Sequence, residues 1–141
     1  MLTKAARWLG LLKDRRGTAF VEFGLIAPIL FLVVLGIIDF GRLLWLSNTV
    51  EHAAVEGARY AAVHGAGKPT VASADQIIDY VRARADGIRP SDLTIAVTWD
   101  PDNTDGSTVT IQASYDFDFF MVGFLPLDPM QLNGSSTMVI N

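Results

Sequence analysis

Glu22 makes the clearest demand on its surroundings, because it is the sole charge in the apolar run from Thr18 to Ile38. An ionised carboxylate within a bilayer costs on the order of 2 to 3 kcal/mol or more, so it must pair with a cation, reach the headgroups or take up a proton. A second set of carboxylates lies in Asp100-Pro101-Asp102-Asn103-Thr104-Asp105-Gly106. It invites a calcium reading, but Asp105 stands where a helix-loop-helix calcium loop needs its sharp-turn glycine, and no bidentate glutamate follows at the required distance. Asp, Asn, Pro and Gly in this density read as a plain turn. His52 and His64 are separated by about three helical turns and belong to no ligand cluster, so both are expected at a surface or boundary. No nucleophile, base and orienting residue stand together, and no phosphate-binding glycine loop is present. No catalytic, cofactor-binding or metal-binding residue is therefore expected, and an anchored enzyme is the weakest reading. The absence of cysteine removes disulfides and thiolate metal sites.

The element that carries Glu22 is a run of about 21 residues, which as a helix reaches about 31 Å, the thickness of a hydrocarbon core. A secretory signal peptide also has a basic start, but this run is too long for an h-region and no small-x-small cleavage pattern follows Ile38. It reads as a retained transmembrane helix. Pro28 lies mid-span and removes one backbone hydrogen bond, to the Gly24 carbonyl, so the span is expected to bend or loosen there, with Gly24 and Gly36 adding freedom. Before Gly17 the charges are Lys4, Arg7, Lys13, Arg15 and Arg16 against Asp14 alone; after Asp39, six Lys and Arg face twelve Asp and Glu. This asymmetry puts the N-terminus in the cytoplasm and the remainder outside it. With no basic stripe beyond the leader, nucleic acid is excluded as a partner, and the lipid bilayer is implied as one.

Taken together, Gly17-Thr18-Ala19-Phe20-Val21-Glu22-Phe23 resembles a type IV pilin processing site: basic leader, Gly, four residues, Glu, an aromatic, then the apolar span. Gly36-Ile37-Ile38-Asp39-Phe40-Gly41-Arg42 and Ala54-Val55-Glu56-Gly57-Ala58-Arg59 are similar to the TadE-like minor pilins, or pseudopilins, of the tight-adherence (type IVb) pilus. The resemblance covers roughly Gly17 to Ala62. It implies that a prepilin peptidase removes residues 1–17 by cutting after Gly17, that Thr18 becomes the mature N-terminus, and that Glu22, followed by Phe23, pairs with the free ammonium of a neighbouring subunit. Asp39 stands where many relatives carry Glu, a departure that keeps the charge. Other pilins and minor pilins, the peptidase and the inner-membrane assembly platform are the implied partners. The implied location is the bacterial inner membrane, with the exported domain periplasmic or carried into an extracellular pilus that supports surface attachment.

The exported part, residues 39–141, starts helically. Phe40, Leu43, Leu44, Val50, Ala54, Ala58 and Ala61 recur at three and four residue steps, extending one helix from Thr18 to about His64. Its distal half offers a face of Ala and Gly that another element can approach closely. Ser73 with Gln76 three residues on suggests a capped second helix, closed by Gly87 before Pro90. Beyond Pro90 the period changes to two, in Leu93-Ile95-Val97-Trp99 and again in Val109-Ile111-Ala113-Tyr115-Phe117, which reads as a hairpin, with a third strand expected around Ser136 to Ile140. The dense apolar stretch Phe117 to Leu127 is expected mostly in the core. Phe119 to Met121 cannot all face inward in a regular strand, so some of it is expected as an exposed subunit contact. The expected fold is α+β and pilin-like, a long N-terminal transmembrane helix (18–38 in the membrane) continuing into a helix packed on a small antiparallel sheet. A single-pass anchored binding or sensing domain that never joins a filament is the competing reading.

Overall fold

The computed structural model describes residues 15–141 apart from Phe124. The leader therefore lies outside the described residues as far as residue 14. Helix α1 runs Arg15–Val63, α2 runs Ala74–Arg82, and three strands follow: β1 Leu93–Asp100, β2 Thr108–Phe117 and β3 Met130–Val139. The order helix, helix, sheet is the expected α+β arrangement. The chain divides into two units, residues 1–38 and 39–141.

Within the first unit α1 already includes Arg15, Arg16 and Gly17 at the start of the described residues, upstream of Thr18. It continues without a break through Pro28. A helix from Gly17 to Val63 is long and apolar enough to cross a membrane, and none of its most apolar window is buried within the chain.

In the second unit the sheet has the order β1-β2-β3, antiparallel throughout, with Ile95 opposite Ala113 and Ala113 opposite Gly134. Period-two alternation buries Leu93, Val109, Ile111, Ala113, Phe117 and Leu132 on one face, and leaves Thr94, Ala96, Gln112, Asn133 and Ser135 on the other. The buried face joins Leu46, Val50, Ala53, Ala54, Ala58 and Ala61 of α1, together with Ile77 and Val81 of α2, in one core.

Small residues set the distance between these layers. A Cβ at Gly57 would stand 2.3 Å from Val81 Cγ2, and one at Gly134 would stand 2.7 Å from both the Val50 carbonyl oxygen and Glu51 Cα. Strand β3 thus lies directly against the backbone of α1, and only glycine fits there. Helix α2 has its capping box: the Ser73 side chain accepts from the Gln76 N–H, while the Gln76 side chain accepts from the Ser73 N–H. It ends at Arg82, and a turn rather than further helix leads to Gly87.

Three expectations need correction. Strand β3 begins six residues before Ser136, because Gln131, Asn133, Gly134 and Ser135 lack the β-branched signature, and pairing with β2 overrides their weak local preference. The stretch after Phe117 is mostly outside the core. Phe117 is buried and Phe119 packs on it, ring centroids 4.9 Å apart, but Phe120, Val122, Leu125 and Leu127 are exposed. Phe40 and Leu44 of α1, placed on the inward stripe by periodicity, are also exposed.

Candidate functional site

Gly17, Thr18, Glu22, Phe23, Gly24 and Pro28 all lie on the first half of α1. Thr18 and Glu22 are four residues apart, so they share one helix face, about 6 Å apart along the axis. Gly17, Thr18, Glu22 and Phe23 are exposed, and neither Gly17 nor Gly24 has anything beside it that a Cβ would meet. Glu22 has no cationic partner among the described residues of its own chain, while the large side chains around it, Phe20, Phe23, Leu25 and Ile26, are exposed too. The arrangement supplies a carboxylate acceptor on an apolar helix surface. It can receive a cation from another molecule without displacing any internal contact.

A second constellation escaped the sequence reading. Asp39, only 2% exposed, is the first residue after the apolar run. Its Oδ1 accepts from the Phe120 N–H at 3.0 Å and its Oδ2 accepts from the Met121 N–H at 3.1 Å, which caps the short 3-10 turn Phe120–Gly123. Arg42, one helical turn on, donates to Asp39 Oδ1 at 3.1 Å, and its guanidinium lies over the rings of Phe120 at 4.0 Å and Phe117 at 5.0 Å. One buried carboxylate thus ties the start of this unit to a segment some eighty residues away. The charged residue just beyond the span was the available signal; nothing in the sequence links it to Phe120.

The acidic loop is a closed structure. Asp102 Oδ1 accepts from the Thr104 N–H at 3.0 Å and from the Thr104 and Ser107 hydroxyls. The Thr104 hydroxyl, then the Ser107 hydroxyl and the Thr104 N–H, hold the Asp102 carboxyl below its usual range. Ala66 N–H donates to the Asn103 carbonyl, and Gly106 N–H to the Ile140 carbonyl, so the turn also joins the end of α1 to the end of the chain. The Asp102 carboxylate is engaged in folding the loop. His64 stacks on Tyr60, centroids 4.1 Å apart, and its Nδ1–H donates to the Tyr60 carbonyl, whereas His52 is exposed on α1. Among the described residues no group of three His, Asp or Glu is placed to hold a metal ion.

These observations define a class: a chain with, among its described residues, one helix fit to cross a membrane, followed by a small α+β unit. Residues 17–59, all within α1, match the sequence model of the family described as TadE-like protein. No curated protein and no solved structure matches the chain.

Proposed function

We infer that the chain is a minor pilin, or pseudopilin, of a tight-adherence (type IVb) pilus, and that it takes part in the assembly or initiation of that pilus. The observation that carries this reading is the TadE-like match over residues 17–59, which spans the exposed Gly17-Thr18 bond and Glu22, a carboxylate with no cationic partner among the described residues. In this reading a prepilin peptidase cuts after Gly17, and the new Thr18 ammonium of one subunit meets Glu22 of the next. Thr18 and Glu22 share a face one turn apart, so every copy offers both a donor and an acceptor to its neighbours. In low dielectric such a pair satisfies a carboxylate that would otherwise be costly to bury.

The apolar half of α1 then leaves lipid for contact with neighbouring helices. Removing one hydrogen bond at Pro28, beside the small Gly24, lets that half adjust its path as it does so. The protein's role is structural and not enzymatic. Its partners are the peptidase, other pilins and minor pilins, and the inner-membrane assembly platform; it starts as a single-pass inner-membrane protein with the N-terminus cytoplasmic and residues 39–141 periplasmic.

The test is the mature N-terminus, read by mass spectrometry of protein from cells with and without prepilin peptidase, alongside a Gly17→Leu variant. The expected start is Thr18, lost in both controls. An intact leader in all three samples would leave a membrane-anchored binding or sensing domain and remove the pilin reading.

A further inference from the structure

Within the second unit α1 carries a polar and aromatic stripe that neither the core nor the Asp39 cap uses. Trp45, Asn48, Thr49 and His52 stand at steps of three, one and three residues and so share one side of the helix, whereas Leu46, Val50, Ala53 and Ala54 face the core. With Arg84 and Asp86, from the turn after α2, they line a cleft of about 390 Å³. Small-molecule sites occupy roughly 300 to 1,000 Å³. All six residues belong to the unit 39–141.

Trp45 is 52% exposed, yet its ring is seated. Gly87, with a φ of +80°, brings the turn against the six-membered part of the indole, where a Cβ would collide with Cη2 and lie 2.8 Å from Cζ3. A side chain at 87 would displace the ring, and the backbone there also favours glycine. The polar groups around the ring are available. Thr49 Oγ1 donates to the Trp45 carbonyl at 2.9 Å and keeps its lone pairs. Asn48, His52 and Asp86 make no side-chain hydrogen bond among the described residues. Arg84 lies 3.8 Å from Glu56 and over the Tyr80 ring, which leaves most of its five N–H groups unengaged.

The electron-rich face of an indole attracts polarised C–H groups, and an amide, a carboxylate and a guanidinium beside it supply donors and acceptors for hydroxyls. Arg84 and Asp86 are opposite charges, so a cation meets a like charge at one and an anion at the other. A neutral ligand with a C–H face and several hydroxyls has neither conflict. We propose that this cleft binds a neutral pyranose, its C–H face on Trp45 and its hydroxyls on Asn48, Asp86 and Arg84. 

The test uses the full-length chain, labelled with nitrogen-15 and held in dodecylphosphocholine micelles, so that no sugar-based detergent competes. It would be titrated with methyl glucoside, methyl galactoside, methyl mannoside and methyl N-acetylglucosaminide, and separately with N-acetyl-lysine amide. The chain has three tryptophans, and the Trp45 indole N–H signal is assigned by its loss in Trp45→Phe. The expected result is a saturable shift of that signal with at least one glycoside while the Trp99 signal stays still. Asn48→Ala and Asp86→Ala, with near-UV circular dichroism unchanged, should each weaken the binding about threefold or more. No saturable shift with any of the four glycosides would overturn the site, and so would an affinity that survives unchanged in both variants. Saturation by the lysine amide alone would overturn it in favour of a pocket for a cationic side chain. None of these outcomes alters the expected cut after Gly17, so the sugar site and the pilin reading stand or fall separately.

Discussion

The two halves of α1 belong to one uninterrupted helix but present opposite surfaces. From Phe20 to Val34 most of the large side chains, among them Phe23, Leu25, Ile29 and Phe31, are exposed and belong to no core. From Leu46 to Ala62 the inward positions are mostly alanine and are buried, with Ala53, Ala54 and Ala58 completely covered. Bulk on the first half is useful only if something outside the chain covers it, as the hydrocarbon of a bilayer would. Smallness on the second half is useful because the chain's own sheet covers it at close range. A helix can thus serve an external partner and an internal one in succession, with side-chain volume marking the change.

The sharpest way to break this comparison is to change one half and look for an effect on the other. Glu22→Ala should abolish incorporation into filaments, read as loss of the protein from the sheared surface fraction, while the thermal midpoint of the full chain in micelles stays unchanged by near-UV circular dichroism. A shift in that midpoint would mean that Glu22 serves the fold. Gly134→Val is the converse change. Its Cβ would lie 2.7 Å from backbone atoms of Val50 and Glu51, which cannot yield as a side chain can. A loss of about 3 kcal/mol or more is expected, enough to unfold the domain, and denaturant titration measures it.

Asp39→Ala tests the point where the two halves meet. It strands the N–H groups of Phe120 and Met121 and leaves Arg42 without its carboxylate. A loss of about 2 to 3 kcal/mol follows, less for Asp39→Asn, whose amide oxygen still satisfies one donor. Equal stability of Asp39→Asn and the parent chain would show that charge contributes nothing to this cap.

How far the sequence exposes these features depends on the range of the interaction. The capping box at Ser73 and Gln76, the hairpin alternation of Leu93 to Trp99, and the Ala and Gly face of α1 are local patterns, and each is found where its period puts it. Glu22 stands out because its cost is local: one charge among apolar neighbours. Strand β3 was legible only at its end, since Asn133-Gly134-Ser135 gains its conformation from β2 and from contact with α1. The Asp39 cap was not legible at all. Its two halves are separated by most of the domain, and apolar density after Phe117 looked like core when it is largely surface. Burial in that stretch is decided by where the 3-10 turn docks, which no periodicity encodes.

The smallest effect is expected in the acidic loop, remote from both halves of the comparison in its chemistry but joined to the end of α1 through the Ala66 to Asn103 hydrogen bond. The Thr104 and Ser107 hydroxyls and the Thr104 N–H favour the ionised form of Asp102, so the folded chain binds this proton less readily than the unfolded chain, where an aspartyl group titrates near about 3.9. The stabilisation is fully present above that unfolded value and is lost as pH falls through the lower, folded value. Asp102→Asn should therefore be less stable than the parent chain at neutral pH, by a modest margin since the loop is exposed, and the difference should shrink as the solution is acidified below pH about 4. Paired thermal melts across that range measure it. A gap that widened on acidification would reverse the sign and show that the loop prefers a protonated Asp102, leaving the Thr104 and Ser107 hydroxyls to organise the turn without its charge.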